Sequence, residues 1–373
     1  MREPTVAIAT TGFSRLGTCQ ARVVLAVLLT VTVGLVAVTL SPLSKGFAGV
    51  KRKGPSDAVL YEREIERIRG GETYYEAATA ELTKWGYPTA SVFNWRTPLP
   101  MSLIGALPDP ALGKAVLVLL AAVTLLLAFE WLAREAGVVQ AVVGTLALTG
   151  ALMFCVLANK FVMPVLWAGT LIGLSLCAYG LNRRLLAVVA GLAALFFRDL
   201  AGPYCVLALI LAIKERRRDE ASAWIAGLVA YSIFFGRHAL QVAIHQPVDG
   251  HAHAESWLQM GGAAFVLATA QVNAYLLLLP QWVTAVFFAL TLLGFAGWHT
   301  AGGQRAGLTV MMYVVLFAFV GHDFNQYWGA LVAPAACLGF AHFPASLADL
   351  WRAARYRSSP SPGTSESLST SSS

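Results

Sequence analysis

SDAVLYEREIERIRGGETYYEAATAELTKWGYPTASVFNWRTPLP (residues 56–100) is a polar island in an apolar chain. VVLAVLLTVTVGLVAVTL (23–40) precedes it, and apolar runs recur after it from residue 114 to residue 343 with only short breaks. A helix that crosses a bilayer needs about 20 apolar residues, because the hydrocarbon core is about 30 Å thick. The whole chain is 57% hydrophobic and 13% charged, with a mean hydropathy of +0.64. A water-soluble surface needs far more charge than that. The sequence therefore predicts an all-α, multi-pass transmembrane helical bundle, and the island becomes a large helical first extracytoplasmic loop over about 44–112.

The island has helical signals of its own. From Asp57 to Arg69, residues Tyr61, Ile65 and Ile68 recur at helical spacing, and Glu64 with Arg67 and Glu66 with Arg69 stand three apart and can pair. Gly70 and Gly71 end this helix, and Thr73 with Glu76 makes a capping box that starts the next. The second helix closes at Gly86, and a third short one begins at Pro98. Arg96 is then held near the membrane between Trp95 and Pro98, where a planar guanidinium can grip a phosphate with two hydrogen bonds.

Candidate spans are 23–43, 114–133, 137–158, 161–180, 184–197, 200–214, 222–244, 281–298, 306–321 and 327–343, about ten in all. The first is longer than the apolar core of a signal peptide and reads as an uncleaved span. Arg2, Arg15 and Arg22 place the N-terminus in the cytoplasm, and alternation then puts Arg134, Arg183 with Arg184, and Lys214 to Arg218 on that same side. Counting 263–280 as a span would throw the basic tail 351–357 outside, so that stretch reads as a re-entrant or interfacial helix with Thr269, Gln271 and Asn273 facing a cavity. Both termini are cytoplasmic in this scheme. Residues 1–357 form a single integral membrane domain, and the Ser-rich residues 358–373 form a disordered tail.

The formal charge of +7 sits at the ends of apolar runs, which is a topology signal and not a nucleic-acid surface. The five cysteines lack CxxC spacing, and His245, His251, His253 and Glu255 match no established metal site. The sequence contains neither GxxxxGK[ST] nor a strand-borne GxGxxG, so no nucleotide or other cofactor is expected.

The first span and the loop that follows, DAVLYEREIERIRGGETYYEAA (57–78) and then FNWRTPLP (93–100), resemble the C-type glycosyltransferase superfamily. Its members are polytopic enzymes that take sugars from polyprenyl-phosphate carriers. HDFNQYWGALVAP (322–334) adds to the resemblance, which covers mainly residues 23–115 and this late segment. It implies Asp57 as the base that deprotonates an acceptor hydroxyl, a polyprenyl-phosphate-linked sugar as partner together with the lipid bilayer, and a bacterial plasma membrane as location. The adjacent acidic pair often seen in that superfamily's first loop is missing: Asp219 and Glu220 are the only neighbouring Asp and Glu, on the cytoplasmic side.

Physics permits the role of Asp57, because a first-turn carboxylate keeps its charge through the helix dipole, but the same placement also serves helix stability alone. Glu64, Glu72 and Glu76 are rival carboxylates, with Glu76 already used by the capping box. Candidates for substrate binding are Arg96, Arg198, Arg237, His322, Asp323, Tyr327 and Glu72. Arg198 sits beside Asp199 in a sharp turn, Arg237 in the seventh span, and His322, Asp323 and Tyr327 in a polar patch before the final span, where capping serves equally. The alternative functions are a transporter, a lipid-binding partner, or an inactive relic of the transferase fold.

Overall fold

A computed structural model describes residues 11–42, 56–252 and 256–355. The expected tail 358–373, the loop residues 44–55, His253 and Glu255 lie outside these. Among the described residues the chain is helical, and Leu258 and Val320 make an isolated β-bridge.

Among the described residues ten helical elements overlap the ten apolar runs, with bounds that shift by several residues and by twelve at the end of the last. They are α1 (Thr18–Leu40), α5 (Pro110–Ala136), α6 (Val138–Leu152), α7 (Pro164–Gly180), α8 (Arg184–Phe197), α9 (Gly202–Lys214), α10 (Arg218–His245), α13 (Gln281–Gly297), α14 (Ala301–Phe319) and α15 (Ala333–Arg355). The intervening numbers belong to α2 (Asp57–Arg69), α3 (Tyr74–Lys84), α4 (Leu99–Gly105), α11 (Gly262–Ala270) and α12 (Ala274–Leu277). Among the described residues five helices are long and apolar enough to cross a membrane: α1, α5, α6 with its extension to Cys155, α10 and α14. A sixth arises if the 3-10 segment Asp323–Leu331 and α15, bent by 65°, are one span. The 14 residues of α8 rise only about 21 Å, short of the hydrocarbon thickness.

The bundle is built from α13 on α15, α7 on α8, and α6 wedged between α5 and α15, with α1 against α13 and α15. Stretch 263–280 divides into α11, buried and nine residues long, and the single turn α12. Asn273 caps α12 and donates to the Ala147 carbonyl at 3.0 Å, so the break is tied to α6.

One end of the bundle gathers basic residues. Arg134 and Arg183 both reach Glu130, the latter at 3.1 Å, so the C-terminal end of α5 and the α7–α8 turn share a face. The first and last described helical segments meet as well: the Thr11 amide donates to Asp349 at 2.6 Å, and Arg22 donates to the Ala354 carbonyl.

The opposite end carries the folded island. Thr73 and Glu76 form the capping box that starts α3, and Gly71 turns the chain at φ +101°, a conformation open to glycine. Packing changes the expected ion pairs on α2. Glu64 turns inward and is 2% exposed, while Arg67 lies on another face and binds Glu72 at 2.8 Å and Glu81 at 2.7 Å. Glu66 pairs with Arg63, and Arg69 donates to the carbonyls of Leu107 and Pro108. Helical spacing alone leaves several partners within reach. The turn into α3 makes Glu72 and Glu81 the nearer ones for Arg67.

Candidate functional site

The first turn of α2 places Asp57 at the junction of two cavities. One is small, about 30 Å³, and lined by Asp57, Tyr61, Glu64, Asn94, Arg96 and Tyr327 among others. The other is about 720 Å³ and mostly apolar, with Phe154, Met163, Val165, Leu166, Val272 and Leu277 on its walls and Ser56, Lys160, Gln271 and Gln326 among its polar exceptions. Asp57, Phe324 and Tyr327 belong to both. Asp57 accepts a hydrogen bond from the Tyr87 hydroxyl at 3.3 Å, and the Tyr327 hydroxyl lies beside its carboxylate.

Arg96 is fixed from three directions. Its Nε donates to the Tyr61 hydroxyl at 2.7 Å, its Nη1 reaches the Phe93 carbonyl at 3.3 Å, and its own carbonyl accepts from the Tyr74 hydroxyl at 2.5 Å. Trp95 beside it is buried and donates to the Thr89 carbonyl. Burial opposes the charge of Arg96, but Tyr61, Tyr327, Asp57 and Asp199 around it outweigh that and raise its pKa.

Arg198 arrives from the far side of the chain. It sits in the turn between α8 and α9, 5% exposed, with Nε 3.4 Å from the Asp199 carboxylate and no hydrogen bond to that Nε. Trp167 stacked on Phe197 at 4.8 Å and the Tyr313 hydroxyl on the Leu200 carbonyl hold this turn. Thr97 reaches the Phe196 carbonyl, tying the turn to the Arg96 segment. The Arg198 charge acts on both Tyr61 and Tyr327.

Tyr327 is set by backbone contact. A methyl group added at Gly169 would stand 1.9 Å from the Ala330 carbonyl oxygen, and one at Gly329 would stand 1.9 Å from that of Thr269. Only glycine lets the 3-10 segment press against α7 and α11 this closely.

The structure thus gathers Asp57, Arg96 and Tyr327 on the wall of the smaller cavity, with Arg198 lining neither cavity but near enough for its charge to act on Tyr61 and Tyr327, and leaves the other candidates apart. Glu72 is committed to Arg67 outside both cavities. Arg237 is exposed and faces a separate groove with Tyr75, Phe234 and His238. His322 is buried, stacked on Phe324 at 5.2 Å and near Trp257 at 4.9 Å, and its amide is capped by Asn325. Asp323 is exposed. His245 lies on the Tyr75 ring, and the His251 carbonyl accepts from the amides of Thr89 and Ala90. That second contact pins the loop after α10 to the island.

No protein-family model matches the chain, and no curated protein matches it in sequence. The chain is similar to ArnT. The solved structure is that of ArnT from Cupriavidus metallidurans in the apo state, at 15% identity and a TM-score of 0.45. The match covers 87% of this chain and 60% of the ArnT chain, so this chain spans less than two thirds of ArnT's length.

Sequence reasoning named Glu64 as a rival carboxylate and Tyr61 as a helix-face residue but did not anticipate that they line one cavity with Asp57 and Asn94. Asp57, Tyr61 and Glu64 stand at i, i+4 and i+7, which is one helix face, and that spacing was the available signal. Glu64 and Glu81 show what the face decides. Both are buried glutamates of the island, 2% and 3% exposed. Burial pushes Glu81 upward, but Arg67 and the Trp85 indole outweigh it and hold the carboxyl below its usual pKa. Burial pushes Glu64 up to about 8, with Arg96 pulling against it and Glu81 and Asp57 adding to it.

Proposed function

We propose that the chain is a membrane glycosyltransferase that moves a sugar from a polyprenyl-phosphate carrier to a hydroxyl acceptor outside the cytoplasm. The observation that carries this reading is the wall shared by the two cavities, where one carboxylate, Asp57, faces polar groups on one side and an apolar chamber on the other. An apolar chamber of about 720 Å³ suits the proximal isoprene units of a lipid carrier. Arg96 and Arg198 suit its phosphate, since guanidinium groups bind phosphate oxygens with paired hydrogen bonds. Lys160 on the chamber wall adds a further positive charge.

In the reaction, the acceptor oxygen attacks the anomeric carbon as the bond from that carbon to the phosphate oxygen breaks. The hydroxyl proton passes to Asp57, and the leaving phosphate takes the bonding electrons, stabilised by Arg96 and Arg198. The donor arrives already activated, so no nucleotide site is needed. In this reading the apolar bundle sits in a bacterial plasma membrane, with both termini and the Glu130, Arg134 and Arg183 end in the cytoplasm.

Purified protein in liposomes, given a panel of radiolabelled polyprenyl-phosphate sugars and membrane extract as acceptor, tests it. Release of free polyprenyl phosphate from one member is the expected result. Turnover of none contradicts the reading.

A further inference from the structure

We propose that Glu64 and Asn94 form a recognition pocket for a single hydroxyl of the transferred sugar, an inference that rests on the transferase reading above. Glu64 is 2% exposed, and its Oε2 and the Nδ2 of Asn94 are buried without a hydrogen-bond partner. Both side chains line the small cavity of about 30 Å³. A buried polar atom left unpaired costs free energy comparable to a lost hydrogen bond. A hydroxyl whose oxygen accepts from Asn94 and whose hydrogen is donated to Glu64 satisfies both atoms at once.

Size decides what can enter. A cavity needs roughly 10–15 Å³ of such volume for one water-sized group, so this one takes a hydroxyl or hydroxymethyl and not a hexose ring. The ring itself stays in the larger chamber and extends one substituent past Asp57 and Tyr327, which line both cavities. Burial that keeps Glu64 neutral lets the pocket exist without a trapped charge, and Arg96 beside it limits that burial effect. A site built around a hydroxyl rejects the analogue that lacks it far more strongly than an apolar site rejects a missing methylene.

Full-length protein in lipid nanodiscs, titrated with farnesyl phosphate and with its glucose, galactose and mannose conjugates and their 2-, 3-, 4- and 6-deoxy forms, provides the test. The bound conjugate is expected to lose about 10- to 100-fold in affinity on removal of one particular hydroxyl and little on removal of the others. Glu64→Leu is expected to erase that discrimination, and Glu64→Gln, which keeps shape and hydrogen bonding, to retain it. Asn94→Leu gives the same loss of discrimination should Glu64→Leu fail to fold. Equal binding of all deoxy forms by the unaltered protein overturns the pocket and leaves the transferase reading standing, as does a uniform weakening of parent and deoxy forms alike in Glu64→Leu. Failure of farnesyl phosphate and every conjugate to bind overturns both.

Discussion

Arg198 and Arg305 are both nearly sealed from solvent, at 5% and 4% exposure, and they sit at opposite ends of the bundle. Arg305 lies over the Tyr179 ring at 3.8 Å and stands 3.7 Å from both Glu215 and Glu220. Those carboxylates are bound again by Arg217, and Tyr179 donates to Glu220 at 2.6 Å. Among the described residues Arg198 has Asp199 alone beside it; donors without a hydrogen bond remain on both guanidinium groups, the Nε of Arg198 and both Nη atoms of Arg305, so the difference lies in how many carboxylates surround each charge. A buried charge that neighbouring charges balance serves the fold, since removing one member strands the others. A buried cation with a single carboxylate beside it keeps charge that an anionic ligand can complete. The same contrast separates Glu81, paired with Arg67, from Glu64.

The largest effect is expected of Arg305→Met. It strands Glu215 and Glu220 against Arg217 alone and should lower stability by about 3 kcal/mol in a denaturation series. A loss under about 0.5 kcal/mol would erase the structural half of the contrast.

Glu64 makes stability depend on pH by a few kcal/mol, because each tenfold change in proton affinity on folding is worth roughly 1.4 kcal/mol. Its folded pKa, about 8, lies above the ordinary 4.5, so the folded state holds the proton longer. Its contribution to stability is therefore full below about pH 4.5 and is lost as the pH rises through the interval to about 8. Glu64→Gln removes this dependence, so its melting temperature is expected to gain on the unaltered protein as pH rises through that interval. A constant gap at all pH values would contradict it.

Arg198→Met is expected to leave the melting temperature nearly unchanged and to weaken binding of farnesyl phosphate about 10-fold or more, the worth of a charge-assisted hydrogen bond. The reverse pattern, in which melting falls and binding holds, would make Arg198 a second Arg305. Arg67→Gln breaks partly exposed pairs with Glu72 and Glu81, for an expected cost of about 1 kcal/mol in the same denaturation series. Sugar transfer per folded molecule is expected to stay as it was.

Much of the scaffold was legible because its signals are local. Apolar runs, Gly71, the Thr73 and Glu76 box and the proline at position 98 act within a few residues, and α2, α3 and α4 begin and end close to where these signals place them, whereas α15 runs Ala333–Arg355 against an expected 327–343. Asp57, Arg96, Arg198 and Tyr327 were each legible as polar groups at the ends of such elements, but their meeting was not. It depends on helix packing across more than 200 residues of chain. Glu64 was misjudged for the same reason, since its partner on paper, Arg67, is turned toward α3 by contacts that lie outside the α2 sequence. Arg237 stands on the same footing: its span was readable, but the groove it faces is set by how α10 meets α3.

The carboxylate at the cavity junction carries the functional conclusion. Single-turnover transfer in nanodiscs, from the lipid-linked sugar that the panel identifies, by the unaltered protein and by Asp57→Asn, measures its role directly. Asp57→Asn is expected to bind the donor with unchanged affinity and to transfer the sugar at least about 100-fold more slowly, the usual worth of a general base. Transfer at the unaltered rate would contradict the assignment of Asp57 as the proton acceptor.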